Sequence, residues 1–103
     1  MLTGEFADYM AAVAHGALAE GVWGWLDDDV AFLGDWGFDL ATVERPVTIW
    51  QGEQDRFVPP AHGEWLAGHV AGARRRVRAD HGHLSLVADS YGEVLDDLIA
   101  SVA

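Results

Sequence analysis

The chain has 103 residues, and half of them are hydrophobic. That length allows one domain at most, and the apolar fraction argues against intrinsic disorder. The six basic residues are all arginines and stand against 17 acidic ones, which leaves a net charge of −11. Such a balance excludes a generic nucleic-acid-binding surface and disfavours binding to an anionic membrane.

Cysteine is absent, which rules out a disulfide framework, a thiolate metal site and a cysteine nucleophile. The sequence has no apolar run of about 18 residues that would predict a transmembrane helix. Its N-terminus lacks the basic start of a signal peptide. We therefore expect a soluble cytoplasmic protein with no membrane partner.

The first 43 residues have a helical pattern. Thr3 is placed to cap a helix from about Gly4 to Leu18, whose apolar residues recur at helical spacing. A shorter helical pattern runs through the acidic triplet 27–29, and the connector 35–43 allows one helical turn at 40–42. The acidic triplet lacks the alternating ligands and the glycine of a calcium loop, so it predicts a solvated helix face.

Pro46 begins a different pattern. The apolar and β-branched segment 47–51 predicts a strand buried on both faces, which Gly52 ends. A loop to Pro59 precedes a predicted helix from Pro60 to Val70, and residues 74–79 predict a short strand with the charged outer face of a sheet edge.

A tight loop at 80–83 precedes the last helical region. Residues 84–87 are expected to form one helical turn. The capping box formed by Ser90 and Glu93 predicts that the last helix begins there. The apolar face of that helix consists of Val94, Leu95, Leu98, Ile99 and Val102.

The predicted order after the two helices is strand, helix, strand, helix, which predicts a parallel α/β unit. Two strands do not form a stable parallel sheet alone. We therefore expect an α/β fold that is one end of a larger doubly wound sheet, with two parallel strands and flanking helices.

One candidate side chain follows each predicted strand. Asp55 follows the first strand and His83 the second, so the parallel arrangement would bring both to the same end of the sheet. A carboxylate beside an imidazole fixes its tautomer and stabilises the imidazolium, as in the Asp–His half of a hydrolytic triad. His81 is the rival to His83, which we prefer because it directly follows Gly82 and precedes an apolar segment.

The segment from Pro46 to Leu86 resembles the C-terminal end of α/β-hydrolase-fold proteins of the proline iminopeptidase-like and esterase-like branch. In that family a Gly-x-x-Asp-x-x-Val-Pro loop carries the catalytic acid and a Gly-His pair carries the base. Here the corresponding residues are Asp55, in the loop from Gly52 to Pro59, and His83 after Gly82. The resemblance implies that residues 44–103 form the last β-α-β-α portion of the hydrolase domain. It also implies that residues 1–43 are a lid remnant with connecting helices.

The family's nucleophile lies in a Gly-x-Ser-x-Gly turn, and none of Ser85, Ser90 and Ser101 has that context. The resemblance therefore implies a partial serine-type hydrolase that carries the catalytic Asp and His without the nucleophile and is inactive alone. The complete enzyme would hydrolyse an ester or a small peptide or amide, and this reaction implies no cofactor and no metal.

A second hypothesis makes the chain a non-catalytic interaction module that pairs its open strand edge with a partner or with itself.

The remaining candidates indicate no further site. His62 and His69 do not form a metal-ligand pair, and the short run of arginines at 74–76 is isolated in an acidic chain. The tryptophans are expected in the core or at a lid interface, with Trp23, Trp25 and Trp36 as weak candidates for lining an acyl or leaving-group pocket.

Overall fold

The computed structural model describes residues 3–102, which divide into two compact units, residues 3–38 and residues 39–102. The first unit contains the helices α1 (Glu5–Ala17) and α2 (Trp23–Leu33), as the helical spacing predicts. Gly4 is the N-cap of α1, and no side chain bonds to the first turn. The prediction that Thr3 is the cap is therefore wrong, because Thr3 lies one residue before the capping position.

The second unit begins with a single 3₁₀ turn at Leu40–Thr42, which Asp39 caps by accepting a hydrogen bond from the amide of Ala41 at 2.9 Å. Strand β1 (Thr48–Gly52), helix α3 (Pro60–His69), strand β2 (Arg74–Arg78) and helix α4 (His83–Val102) follow. The fold is mixed α/β, with four helices and a two-stranded sheet in the described residues.

The two strands are parallel, and their register pairs Thr48 with Arg74 and Gly52 with Arg78. Helices α3 and α4 cover different sides of β1. Neighbouring side chains of a strand point to opposite faces, so that consecutive residues of β1 contact different helices. Gln51 faces α3, where it lies against Gly63, while Trp50 shares a cavity wall with residues of α4.

Ion pairs connect strand β2 to helices α3 and α4. Arg76 lies 3.2 Å from Asp97 and Arg78 pairs with Glu93, both on α4, while Arg75 lies 3.1 Å from Glu64 on α3. The guanidinium groups of Arg76 and Arg78 also lie over the ring of Trp50. The charged face predicted for this strand is thus paired with acidic residues of the same chain.

Two sequence-based predictions need correction here. The last helix begins at His83 rather than Ser90, and Ser90 lies buried in its interior. The first strand is not buried throughout, because Thr48, Ile49 and Trp50 remain half-exposed and only Gln51 and Gly52 are fully buried. The physical reason is that β1 has a neighbouring strand on one edge alone among the described residues.

Within residues 3–102, the buried hydrophobic side chains are Val70 and Leu86, and the buried polar ones are Gln51, Asp55 and Ser90. Two of these polar residues belong to the end of β1 and the loop after it. The best-buried part of the unit therefore surrounds that loop. No helix of the described chain has both the length and the apolar character needed to cross a bilayer.

Candidate functional site

The loop after β1 is organised around the Asp55 carboxylate. The amide of Asp55 donates to the Gly52 carbonyl at 3.2 Å, which closes a turn directly after the strand. Its Oδ1 atom then accepts two backbone hydrogen bonds, from the amides of Phe57 and Val58, each at 2.9 Å. A short carboxylate side chain that bonds to the following amides is a common way of stabilising a loop. Oδ1 is thereby used locally, and Oδ2 remains available for another partner.

The second loop ends at the start of α4. Gly82 precedes the helix, and its carbonyl accepts the first helical hydrogen bond from Leu86 at 3.1 Å. The Ser85 hydroxyl, three residues after Gly82, accepts from the Gly82 amide at 2.9 Å. This is the reciprocal half of a capping box, with serine in the place of the usual Glu or Gln. The contact explains why the helix begins at His83, ahead of the predicted start.

Backbone hydrogen bonds join the two loops. The amide of Glu53 donates to the Arg78 carbonyl and that of Gln54 to the His81 carbonyl, both at 3.0 Å. A Cβ atom at Gly52 would lie 2.8 Å from the carbonyl carbon of His81, inside van der Waals contact. Only glycine allows the end of β1 to approach the second loop this closely.

The result is a direct contact between the two predicted residues. His83 Nδ1 lies 2.8 Å from Asp55 Oδ2, although the residues are 28 positions apart in the sequence. An ionised carboxylate only accepts hydrogen bonds, so the ring must donate through Nδ1–H. In the neutral imidazole, Nε2 then carries the free lone pair and can accept a proton.

The two partners differ sharply in burial. The Asp55 side chain is 4% exposed, whereas the His83 side chain is 44% exposed. Removal of the carboxyl from water would by itself raise its pKa, but the hydrogen bonds from Val58, His83 and Phe57 outweigh this effect, and the pKa of Asp55 lies below its ordinary value. The carboxylate thus stays ionised beside a histidine that solvent or another molecule can reach.

His81 occupies a separate position. Its Nε2 atom lies 3.3 Å from Asp89 Oδ2 on the exposed side of α4, and its Nδ1 atom is buried without a hydrogen-bond partner. It makes no hydrogen bond to Asp55 in the described structure. The geometry therefore brings Asp55 together with His83 and pairs the rival His81 with a different carboxylate.

A cavity of about 380 Å³ adjoins the His–Asp pair between β1 and α4. The Phe57 ring covers another side of His83, with 5.6 Å between the ring centroids. The cavity wall is mostly apolar and is formed by Trp50, Gln51, Asp55, Val58, His83, Leu86, Val87, Tyr91 and Val94. A proton acceptor beside an apolar cavity is suited to proton transfer with a bound group.

Gln51 is a site residue that sequence reasoning missed. It is 4% exposed, and its Nε2 atom donates to the Gly52 carbonyl and the Val58 carbonyl, each at 3.1 Å. The available signal was a polar residue at the end of an otherwise apolar strand. That signal does not show that the side chain reaches across the loop to a residue seven positions later.

The serines do not complete a triad within residues 3–102. The Ser85 hydroxyl accepts from Gly82, the Ser101 hydroxyl donates to the Leu98 carbonyl at 2.7 Å, and Ser90 is buried in α4. None of them forms a hydrogen bond with the His83 ring. The same residues contain no group of three or more His, Cys, Asp or Glu side chains arranged to hold a metal ion.

The other candidates from the sequence belong to other elements. The acidic triplet 27–29 lies on α2 and is exposed, and His62 is on α3. His69, also on α3, stacks on Trp65 at a centroid distance of 3.8 Å. Trp23, Trp25 and Trp36 belong to the first unit and are exposed.

No known family profile, curated protein or solved structure matches the chain.

Proposed function

We propose that Asp55 and His83 are the acid and the base of a serine-type α/β hydrolase. The observation that carries this proposal is the 2.8 Å contact between His83 Nδ1 and Asp55 Oδ2, at the carboxyl ends of two adjacent parallel strands. In open α/β sheets this end carries the functional loops. The order of acid before histidine and the Gly-His pair at 82–83 also agree with the resemblance to the hydrolase family.

The proposed chemistry is acyl transfer to water, with an ester or a small peptide or amide as substrate. His83 Nε2 would take the proton of a serine hydroxyl as that oxygen attacks the substrate carbonyl, and would then give the proton to the leaving group. Asp55 would hold the ring in the Nδ1–H tautomer and stabilise the imidazolium. The serine and the oxyanion donors would come from polypeptide outside residues 3–102.

A fusion tests the proposal. The N-terminal portion of an α/β hydrolase of the resembled branch, including its Gly-x-Ser-x-Gly turn, is joined to this chain, and hydrolysis of an activated ester is measured. We expect the fusion to hydrolyse the ester and to react with a fluorophosphonate at the supplied serine. His83→Ala should lower the rate by several orders of magnitude, because triad members act as a unit.

The matched control is His81→Ala, which removes a histidine of the same loop that pairs with Asp89 instead. It should leave the rate of the fusion within a few-fold of the parent. If His81→Ala abolishes hydrolysis while His83→Ala leaves it intact, the assignment of the base is wrong.

One observation favours a second candidate, a non-catalytic interaction module. Within residues 3–102, one edge of β1 has no neighbouring strand, and unprotected edges recruit other strands. Exposed apolar side chains also follow one another along α4, namely Val87, Tyr91, Leu95, Leu98, Ile99 and Val102. A second copy of the chain, or another protein strand, would cover both features. Sedimentation of the isolated chain, which measures its self-association, tests this candidate.

A further inference from the structure

The loop that holds Asp55 is closed by a side chain from the strand before it. The Gln51 amide nitrogen donates to the carbonyl of Gly52, where the loop begins, and to that of Val58, near its end. Both neighbours of this nitrogen are carbonyl oxygens, so the donor end of the amide must face them. With both hydrogens used, the Gln51 side chain connects the two ends of the loop.

This connection acts on the same residue that holds the carboxylate. The Val58 carbonyl accepts from Gln51, and the Val58 amide donates to Asp55 Oδ1 at 2.9 Å. Because Gln51 holds Val58 in place, the Val58 amide stays directed at Oδ1, and this oxygen accepts the hydrogen bonds of the loop. The other oxygen, Oδ2, is left directed at His83.

Helix α3 holds the Gln51 side chain from the opposite side. A Cβ atom at position 63 would lie 2.9 Å from Gln51 Oε1, which is closer than real Cβ contacts occur. Glycine at this position therefore allows the amide to fit between the helix and the loop. By contrast, a Cβ atom at Gly68, in the same helix, would have no neighbour within 4 Å.

We propose that Gln51 is a positioning residue, which orients the Asp55 carboxylate by fixing Val58 and so sets the tautomer of His83. The inference rests on the proposed function, because the orientation of Asp55 matters to catalysis only if the His–Asp pair serves as acid and base. The geometry itself is a property of this chain, and it can be measured without any hydrolysis.

The test uses the isolated full chain and two NMR measurements. The carboxyl carbon resonance of Asp55 is followed against pH to obtain its titration midpoint, and the nitrogen resonances of the His83 ring report the tautomer. Gln51→Met keeps the length of the side chain but removes both donors. We expect an upward shift of the Asp55 midpoint and a loss of the Nδ1–H tautomer of His83, because Val58 and its amide are no longer held in place.

A matched pair of glycine variants keeps the test decisive if Gln51→Met fails to fold. Gly63→Ala places a methyl group against Gln51 Oε1, whereas Gly68→Ala places one in open space in the same helix. We expect Gly63→Ala to shift the Asp55 midpoint and the His83 tautomer in the same direction as Gln51→Met, and Gly68→Ala to leave both unchanged. A merely structural role for Gln51 would lower stability without moving either resonance in the folded state.

If the folded Gly63→Ala chain keeps the Asp55 midpoint and the His83 tautomer of the parent, the positioning role is overturned. The same holds if a folded Gln51→Met chain keeps them. A failure of the hydrolase proposal gives a different result, since the fusion would then be inactive while these NMR shifts still occur.

Discussion

Replacement of Gly52 by alanine tests how closely the two loops depend on each other. Gly52 is not one of the glycines with a positive φ, so alanine can adopt its backbone conformation and the effect arises from space alone. The added methyl carbon would overlap the His81 carbonyl oxygen, its nearest neighbour, and would lie 2.8 Å from the His81 carbonyl carbon and 3.1 Å from the Gly82 oxygen. Carbon atoms pack at about 3.5–4.0 Å, so the second loop must move by roughly 1 Å.

This displacement affects both stability and the site. Overpacking of a close contact costs about 1–3 kcal/mol, and the hydrogen bond from Gln54 to the His81 carbonyl contributes about 1 kcal/mol more. We therefore expect the free energy of unfolding to fall by about 2–4 kcal/mol. His83 follows directly after the displaced residues, so its 2.8 Å hydrogen bond to Asp55 should lengthen beyond bonding distance.

The assay is urea unfolding followed by tryptophan fluorescence, with the His83 ring nitrogens observed by NMR in the folded state. For a chain of this size the expected loss corresponds to a midpoint lower by roughly 1–3 M urea. Gly92→Ala is the matched control, because a Cβ atom there meets nothing within 4 Å in the interior of α4. It should raise stability by about 0.5–1 kcal/mol. A Gly52→Ala chain with the parent's midpoint and the parent's His83 tautomer would refute the reasoning.

Three further predictions concern pH, reactivity and association. Because the pKa of Asp55 is lower in the folded chain than its ordinary 3.8, its ionised form stabilises the fold above that pH, and this stability is lost as the pH falls through the folded pKa. The difference in free energy of unfolding between the parent and Asp55→Asn, measured from neutral to acidic pH, should therefore shrink as the pH falls. A difference that stays constant over this range would contradict the prediction. The isolated chain should neither hydrolyse activated esters above an albumin background nor react with a fluorophosphonate, and stoichiometric labelling of Ser85, Ser90 or Ser101 would contradict the proposed division of the triad. Sedimentation should show a dimer or larger assembly, or else a loosely packed state that binds a hydrophobic dye, because one edge of β1 has no neighbouring strand in the described part of the chain and the apolar side chains along α4 are exposed there. A sharply melting monomer that binds no dye would count against both the interaction module and the end-piece architecture.

The sequence by itself determined the order of the elements after Pro46 and the contact between Asp55 and His83. Apolar β-branched residues, glycine stops and helical spacing are local signals, and the structure has the predicted strand, helix, strand and helix in that order. The bounds of the first three agree closely with the prediction, whereas the last helix begins at His83 instead of Ser90. The site followed from topology, since adjacent parallel strands bring the loops at their carboxyl ends together.

Helix starts were predicted less well, because several local signals compete. Thr3 and Ser90 each have the chemistry of an N-cap, but Gly4 caps α1, and α4 already begins at His83. Near Ser90 the tertiary structure decides the outcome. Burial of Leu86 and Ser90 against the rest of the unit favours a continuous helix, and the Ser85 hydroxyl stabilises its earlier start.

Only the tertiary structure decided how the acid is held. The Gln51 side chain reaches across the loop to Val58, and Gly63 on another element leaves the space in which it lies. The absence of a side chain at Gly52 brings the two loops into contact in the same way. Glycine in a sequence indicates a turn or a flexible position as readily as a close approach. A close approach depends on which element packs opposite, and that information is contained in the packing of the chain rather than in any short segment of it.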